Sequence, residues 1–174
     1  MEKYMTLPCA EKVLKSALTE NIRTKYTVSL FCREAKIDRG TFYNHYRNLS
    51  DLFLSVLTLQ MKRALKCQNS EHLNSIFYRL LKVIAENKFF YFNIISLAND
   101  PYTFYAVLRK ELAFAIEEYL RPRTAFSVRK VELISNAIYT VINHWVKGFC
   151  QQDIRDVYQT IGLLLVNLEE PEKL

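Results

Sequence analysis

Residues 27–46 read TVSLFCREAKIDRGTFYNHY, and this stretch indicates how the N-terminal part of the chain folds. Thr27 is a good N-cap for a short helix. That helix would bury three apolar residues, Val28, Phe31 and Ala35. After a two-residue break, Asp38 can cap another helix by accepting hydrogen bonds from its free N–H groups. Two short helices joined in this way make a helix-turn-helix, whose second helix enters the major groove of DNA.

The two sides of this second helix differ in composition. Phe42 and Tyr46 lie four residues apart, and at about 100° per residue they define the side that packs against the domain. The other side and its edges carry Arg39, Gly40, Thr41, Tyr43, Asn44 and Arg47. Glycine permits close backbone approach, asparagine can read adenine, and tyrosine and arginine can reach phosphates or guanine. We predict a DNA-reading surface; an ordinary amphipathic helix with a polar outer face is the alternative.

The net charge of the chain is concentrated at this end. Residues 1–66 hold twelve Lys and Arg against six Asp and Glu, whereas residues 67–174 hold twelve basic and twelve acidic residues. The whole formal net charge of +6 therefore belongs to the first third of the chain. Such asymmetry favours a polyanion as the partner of that part alone. Double-stranded DNA is the polyanion that a helix-turn-helix binds.

Composition and periodicity predict an all-α fold. Half of the 174 residues are hydrophobic, but only three glycines and four prolines occur, too few for the many tight hairpins of an all-β domain. The apolar pattern predicts a first helix at about residues 9–24, and Asn48 can cap a fourth helix. Longer helices are expected at about 70–87, 89–98, 102–120, 127–150 and 154–168.

These elements give about nine helices in three parts. Residues 1–49 are expected to form a three-helix DNA-binding domain with the helix-turn-helix. Residues 50–66 would form a connecting helix. Residues 67–174 would form a C-terminal helical bundle.

The string RGTFYNHY, followed by LSDLFLSVL, resembles the DNA-binding domain of the tetracycline-repressor (TetR) family over about residues 9–66. The resemblance implies sugar-phosphate contacts for Thr27, Tyr43 and His45, and base-edge contacts for Arg39, Gly40, Thr41 and Asn44. Many members carry a phosphate-gripping lysine where this chain has Leu49, so that contact is absent or moves to Arg47. Many carry glycine where this chain has Lys36, which costs about 0.5–1 kcal/mol if the backbone there needs positive φ.

Residues 67–174 resemble the short C-terminal domain of TetR-type regulators of Firmicutes, with an aromatic-rich middle and a late INHWVKGF segment. The last two predicted helices carry apolar stripes that suit a four-helix interface between two subunits, as in this family. The predicted interface residues are Ile138, Ile142, Trp145, Phe149, Ile154, Tyr158, Ile161 and Leu165. Alternatively, these stripes seal the core of one chain. A homodimer would place two recognition helices at the spacing of a palindromic operator.

Eleven of the 23 aromatic residues lie between residues 77 and 119. Such density is typical either of a small-molecule cavity, where tyrosine hydroxyls orient the ligand, or of ordinary helix packing. The candidate ligand-binding residues are Phe89, Tyr91, Phe92, Tyr102, Tyr105 and Phe114. A ligand would act by favouring a dimer geometry whose recognition helices are wrongly spaced for DNA.

Other functions have little support in the sequence. No GxSxG, HExxH, P-loop or dinucleotide fingerprint occurs, so we expect no enzymatic activity, cofactor or metal. The four cysteines form no CxxC pair, which is typical of buried thiols in a reducing cytosol, with a redox-sensing thiol as the alternative. The first residues contain no apolar signal region and no stretch is apolar enough for a membrane span, so we expect a cytoplasmic protein.

The sequence thus predicts a homodimeric DNA-binding transcriptional regulator, most simply a repressor that occludes a promoter. A second hypothesis is a co-regulator of the same fold that has exchanged contact with DNA for contact with another protein. Leu49, in place of a phosphate-gripping lysine, leaves this second hypothesis open.

Overall fold

The computed structural model describes residues 5–67 and 71–169, and over these ranges it contains helices and no strands. The parts of the predicted domains at residues 1–4, 68–70 and 170–174 lie outside the described residues. The helices are α1 (Leu7–Leu18), α2 (Val28–Ala35), α3 (Arg39–His45), α4 (Leu49–Leu65), α5 (Leu73–Glu86), α6 (Lys88–Leu97), α7 (Pro101–Leu120), α8 (Val128–Lys147) and α9 (Ile154–Glu169). The prediction of an all-α fold with about nine helices is confirmed.

Helix α4 belongs to both halves of the molecule. It packs against α1 on one side and against α5 and α7 on the other. In the C-terminal half, α8 lies between α7 and α9, and α9 packs against α5. Helix α6 contacts α1 as well as α8, so it also connects the two halves. The buried apolar residues form one continuous core through these contacts.

Helix α1 ends earlier than its apolar pattern predicts, at Leu18 rather than near Thr24. The cause is Asn93 of α6, whose side chain is completely buried. Its Nδ2 donates hydrogen bonds to the carbonyls of Leu18 at 2.9 Å and Asn21 at 2.7 Å. Its Oδ1 accepts a hydrogen bond from the backbone N–H of Arg23 at 2.7 Å. The backbone after α1 is thus held in an irregular path by a residue some 70 positions away in sequence.

Helix α8 also ends early, at Lys147 rather than near residue 150. Phe149 and Cys150 follow with φ of 56° and 53°, the left-handed region that reverses a helix. The backbone N–H of Cys150 donates to the carbonyl of Trp145 at 2.9 Å, and the Trp145 indole Nε1 donates to the carbonyl of Gln152 at 2.9 Å. These bonds close the turn between α8 and α9.

Candidate nucleic-acid interface and internal cavity

The turn between α2 and α3 contains a residue in the left-handed conformation. Lys36 has φ 55° and ψ 45°, and its N–H donates to the carbonyl of Arg33 at 3.3 Å. The N–H of Ile37 donates to the carbonyl of Cys32 at 3.0 Å. Glycine adopts this conformation at the lowest cost. The backbone at Lys36 therefore does need a positive φ. The predicted energetic cost of having lysine rather than glycine at this position applies.

Two aromatic residues hold α3 against the rest of the domain. Phe42 is completely buried, and its ring centroid lies 5.7 Å from that of Phe31 on α2 in an edge-to-face arrangement. Tyr46 is 9% exposed and lies 5.7 Å from Phe42, centroid to centroid. The side of α3 that the sequence predicts to be buried is buried, and the opposite side faces outward.

The start of α3 is fixed by Asp38. Its Oδ1 accepts the backbone N–H of Thr41 at 2.8 Å, and its Oδ2 accepts the Thr41 hydroxyl at 2.8 Å. These hydrogen bonds hold the pKa of Asp38 below its ordinary value, so the capping group stays ionised. A Cβ added at Gly40 would lie 3.0 Å from Oδ1 of Asp38. Gly40 thus leaves room for the cap, and Thr41 uses its hydroxyl within the protein.

The outward side of α3 brings most of the predicted DNA-binding residues together. The exposed residues are Arg39, Gly40, Tyr43, Asn44 and His45, whereas Thr41 is half-buried. Arg39 and Tyr43 contact one another: Nη2 of Arg39 donates to the Tyr43 hydroxyl at 3.5 Å, and the guanidinium carbon lies 5.9 Å from the ring centroid. This contact lets the tyrosine steady the long arginine side chain at the surface.

Thr27 and Arg47 flank this surface. The Thr27 hydroxyl caps α2 by accepting the N–H of Leu30 at 3.2 Å, so the side chain is half-buried. The Arg47 side chain is 89% exposed, and its Nε lies 3.6 Å from Oδ2 of Asp51. The backbone N–H of Arg47 donates to the same oxygen at 3.0 Å. The Asp51 carboxylate at the start of α4 thus partly neutralises the positive charge of Arg47.

An apolar cavity of about 50 Å³ lies among α4, α5, α6, α7 and α8. Nine of its twelve lining residues are aliphatic or methionine, and the other three are Tyr91, Tyr139 and Asn143. Pockets for drug-sized ligands measure roughly 300–1,000 Å³. The cavity in this conformation therefore accommodates only a small group.

Of the six predicted ligand-binding residues, Tyr91 alone lines this cavity. Phe89 and Phe92 instead pack on Phe149, with centroids 4.9 and 5.5 Å away. This cluster covers the turn after α8, which the sequence pattern could not place next to α6.

The other three predicted residues lie on α7. Tyr105 packs on Tyr139, 5.1 Å between centroids, and its hydroxyl donates to Oδ1 of Asn136 at 2.9 Å. Tyr105 thus lies behind the cavity wall. Tyr102 and Phe114 are 78% and 56% exposed, and Phe114 lines an open groove of about 520 Å³ between the end of α4 and α7. The aromatic density of this region reflects helix packing as well as a cavity.

A chain of polar contacts leads from the cavity wall into the N-terminal half. The hydroxyl of Tyr91 donates to Oε1 of Gln60 at 2.6 Å, and Nε2 of Gln60 donates to Oε1 of Glu11 on α1 at 3.1 Å. Arg63 donates to the other oxygen of Glu11 at 2.7 Å, and Lys15 lies 3.4 Å from Oε1. Burial alone would raise the pKa of Glu11, but the bonds from Gln60 and Arg63 lower it below its ordinary value.

The residues predicted at a dimer interface are largely covered within one chain. Ile138, Trp145, Ile161 and Leu165 are between 0% and 4% exposed. The other four, Ile142, Phe149, Ile154 and Tyr158, are half-buried. Their stripes face the neighbouring helices α5, α6 and α7, so they contribute to the core of the single chain. Because four of the eight are buried within one chain, an interface on α8 and α9 would also include residues on the outer faces of these helices.

The outer faces of α8 and α9 carry exposed aliphatic residues. Leu133 on α8 is 61% exposed, and Leu163 and Val166 on α9 are 72% and 54% exposed. Gly162 lies beside them, and a Cβ added there would meet no heavy atom within 4 Å. Glycine in a helix interior costs about 1 kcal/mol relative to alanine. Among residues 5–67 and 71–169, nothing packs against Gly162 to offset that cost.

Metal sites, disulfides and membrane-spanning helices were each sought among the described residues. No group of three or more His, Cys, Asp or Glu side chains among them could hold a metal ion. No disulfide occurs in the described ranges, and burial raises the pKa of the Cys150 thiol to about 11. No helix in these ranges is both long and apolar enough to cross a membrane.

No protein-family model matches this sequence, and no curated protein sequence matches it significantly. Solved structures share its fold, and two of them are described as transcriptional regulators. One is the dihydroxyacetone kinase operon activator DhaS, with a TM-score of 0.65 and 18% identity over 96% of this chain and 98% of that chain. Another is a protein of Pseudomonas aeruginosa PAO1 described as a transcriptional regulator, with a TM-score of 0.52 and 11% identity over 92% of this chain and 88% of that chain. At these identities the likeness establishes a shared fold.

Proposed function

We propose that this chain is a sequence-specific DNA-binding transcriptional regulator that acts as a homodimer in the cytoplasm. The observation that carries the proposal is the outward side of α3. It presents arginine, glycine, tyrosine, asparagine and histidine on a helix held from behind by Phe42 and Tyr46. The location of the net charge of +6 within residues 1–66 supports the proposal, because phosphates attract that part of the chain.

The exposed residues divide into two roles. Arg39 and Asn44 would contact base edges in the major groove, and Gly40 would let the helix backbone approach them. Tyr43 and His45 would contact the sugar-phosphate backbone. The remaining contacts would come from the periphery. Arg47 and the backbone near Thr27, the N-cap of α2, would bind phosphates. Thr41, whose hydroxyl is bonded to Asp38, would offer its methyl group to a base edge.

Dimerisation would use the outer faces of α8 and α9. The exposed aliphatic residues there supply apolar surface, and Gly162 would let a helix of the second subunit approach closely. The chain would be divided into a DNA-binding domain at 1–49, a connecting helix at 50–66 and a C-terminal ligand-sensing and dimerisation domain at 67–174. In a dimer of this kind, two α3 helices read the two halves of a palindromic operator.

A small-molecule effector would bind in the cavity beside Tyr91. The contacts from Tyr91 through Gln60 to Glu11 join this cavity to α4 and α1, and α1 packs against α2, the helix that contacts α3. A ligand that displaces the Tyr91 hydroxyl would therefore favour a different placement of α3. We propose that the regulator represses by occluding a promoter until such a ligand binds. DhaS, which shares the fold, is named as an activator, so a promoter-reporter assay is needed to fix the direction.

The test is a selection of bound fragments from genomic DNA of the source organism by the purified protein, at two salt concentrations. Tyr43→Ala removes an aromatic residue from the proposed DNA surface. Tyr102→Ala is the matched control, because Tyr102 is exposed but lies on α7. We expect the wild type and Tyr102→Ala to enrich the same palindrome, and Tyr43→Ala to lose it.

Absence of enrichment by the wild type at both salt concentrations would contradict the proposal. It would favour the co-regulator of the same fold, for which a protein partner would then be sought. Equal loss in both tyrosine variants would instead contradict the assignment of the surface to α3.

A further inference from the structure

Asn93 is a completely buried polar residue in a largely apolar helix. It lies on α6, which reads KFFYFNIISL. Among the polar and charged side chains of the described ranges, one other is completely buried, that of Ser135, and its hydroxyl donates to a carbonyl of its own helix. The three hydrogen bonds of Asn93 instead all go to backbone groups at the end of α1 and just beyond it.

The Asn93 amide uses both of its N–H groups and its oxygen in these bonds. Burying an amide is unfavourable unless partners satisfy it, whereas a leucine of similar size would pack in the same core without any. The side chain therefore contributes a fixed geometry rather than apolar contact. Its removal would leave the carbonyls of Leu18 and Asn21 and the N–H of Arg23 without this partner.

The segment held in this way leads directly into α2. Arg23 lies four residues before Thr27, the N-cap of α2. Between them Tyr26 is buried, and its ring centroid lies 6.5 Å from that of Phe53 on α4. The Tyr26 hydroxyl donates to Oε2 of Glu34 on α2 at 2.5 Å. The start of α2 is therefore coupled to the position of the segment at Arg23.

A second bond joins the end of α6 to the other side of the helix-turn-helix. The backbone N–H of Asn99, two residues after α6, donates to Oγ of Ser50 at 2.9 Å. Ser50 is 8% exposed and is the second residue of α4, which follows α3. The bonds of Asn93 and Ser50 thus lie before α2 and after α3 along the chain. Together they restrain the helix-turn-helix at both of its ends.

Other residues of α6 contact the C-terminal half of the molecule. Phe89 and Phe92 pack on Phe149 in the turn between α8 and α9, and Tyr91 lines the cavity. Helix α6 is thus in contact with the proposed dimerisation helices, with the cavity and with both ends of the helix-turn-helix. Its position relates the orientation of α3 to the rest of the protein.

We propose that Asn93 and Ser50 are positioning residues for DNA binding, which fix the orientation of the helix-turn-helix relative to α6. This inference rests on the proposed function, because the orientation matters only where α3 reads DNA. A dimer binds both halves of an operator when its two α3 helices are held at the spacing of the half-sites. Without these bonds, α3 would keep its exposed residues but lose its fixed orientation. Operator binding would weaken, whereas electrostatic binding to random DNA would persist.

The test compares the affinity for the operator selected by the wild type with the affinity for random DNA, both measured by fluorescence anisotropy. Asn93→Ala should lower the ratio of the two affinities about tenfold or more. Ile76→Ala is the matched control, because Ile76 is 1% exposed on α5 and its truncation destabilises the core without removing these bonds. Loss of folded protein lowers both affinities by the same factor, so Ile76→Ala should leave the ratio unchanged. An unchanged ratio in Asn93→Ala, or equal falls in both variants, would overturn the proposal.

Amide hydrogen exchange of the same variants tests the restraint itself and requires no DNA. Asn93→Ala should accelerate exchange at the N–H of Arg23 about tenfold or more and leave the amides of α7 as in the wild type. Unchanged exchange at Arg23 would overturn the proposal. If Asn93→Ala does not fold, Ser50→Ala removes one hydroxyl and should lower the affinity ratio by a smaller factor. An unchanged ratio in Ser50→Ala would then overturn it.

These measurements separate the inference from the proposed function. A wild type that selects an operator, together with an Asn93→Ala variant of unchanged affinity ratio, would overturn the positioning role and leave the regulator standing. A wild type that binds no DNA would overturn the regulator and, with it, the positioning role, even where exchange at Arg23 depends on Asn93.

Discussion

The hydroxyl of Tyr91 donates a hydrogen bond to Oε1 of Gln60 at 2.6 Å, and this bond joins the wall of the cavity to the interior of the N-terminal half. Gln60 is 6% exposed and Tyr91 is also 6% exposed, so water competes little for the bond. Glu11 on α1 accepts the next bond in the series. Because each member satisfies a buried neighbour, we expect a change at the cavity to affect α1 and α4.

Replacing Glu11 with glutamine should destabilise the protein by about 1–3 kcal/mol at neutral pH, because charge-assisted bonds to Arg63 and Lys15 are lost. The pKa of Glu11 is lowered from its ordinary value of 4.5, so its stabilising effect is complete above that pH. The stabilising effect of Glu11 is lost as the pH falls through this lowered pKa. Urea unfolding of wild type and Glu11→Gln across pH 3–7 measures this, and the difference between them should shrink below about pH 4.5.

Glu20→Gln is the control for this experiment, because Glu20 is exposed and follows the end of α1. Its stability should follow that of the wild type at each pH. A difference between wild type and Glu11→Gln that stays constant down to the lowest pH would show that the charge of Glu11 contributes nothing.

Lys36→Gly should stabilise the protein by about 0.5–1 kcal/mol relative to Lys36→Ala, because only glycine adopts φ 55° without a Cβ penalty. Alanine is the correct reference, since both substitutions remove the same charge. Thermal and urea unfolding report the difference. A glycine variant less stable than the alanine variant would mean that the turn is not left-handed in solution.

Gly162→Trp should convert a dimer into a monomer, because the new side chain would occupy the space into which a second subunit is proposed to fit. Sedimentation equilibrium measures the mass directly. Lys110→Trp places the same bulk on the exposed side of α7 and should leave the dimer intact. A Gly162→Trp protein that remains dimeric would exclude this part of α9 from the interface.

Asn44→Ala should relax the preference for one base pair in each half-site by about 1–3 kcal/mol, because asparagine reads a base edge. Tyr43→Ala should weaken binding to specific and random DNA alike, because a phosphate contact carries no sequence information. Competition binding against single-base variants of the operator distinguishes the two patterns. Identical patterns for the two variants would contradict the division of roles along α3.

The elements predicted best from the sequence are those that depend on neighbouring residues. Three helices are capped by the residues predicted for them, Thr27, Asp38 and Asn48. These caps were predictable because each capping bond reaches only three residues along the chain. The buried side of α3 follows equally from the spacing of Phe42 and Tyr46. These features could be predicted from the sequence because local geometry alone determines them.

The features that depend on distant residues were not predicted. The end of α1 is set by Asn93, and no local pattern identifies that contact. The stripe through Ile138 and Trp145 identifies a buried side but not whether the same chain or a second subunit covers it. Aromatic density likewise does not separate Tyr91, which lines the cavity, from Tyr102, which is exposed.

The salt dependence of binding shows whether the N-terminal surface contacts the phosphates of DNA. Fluorescence anisotropy of a labelled duplex, measured between 50 and 200 mM salt, gives the slope of log K against log salt concentration. Arg47 in each of two subunits would release about two counterions, so we predict a slope of about −2 or steeper, reduced by Arg47→Ala. Weak binding that barely changes with salt would contradict the account and favour a protein partner.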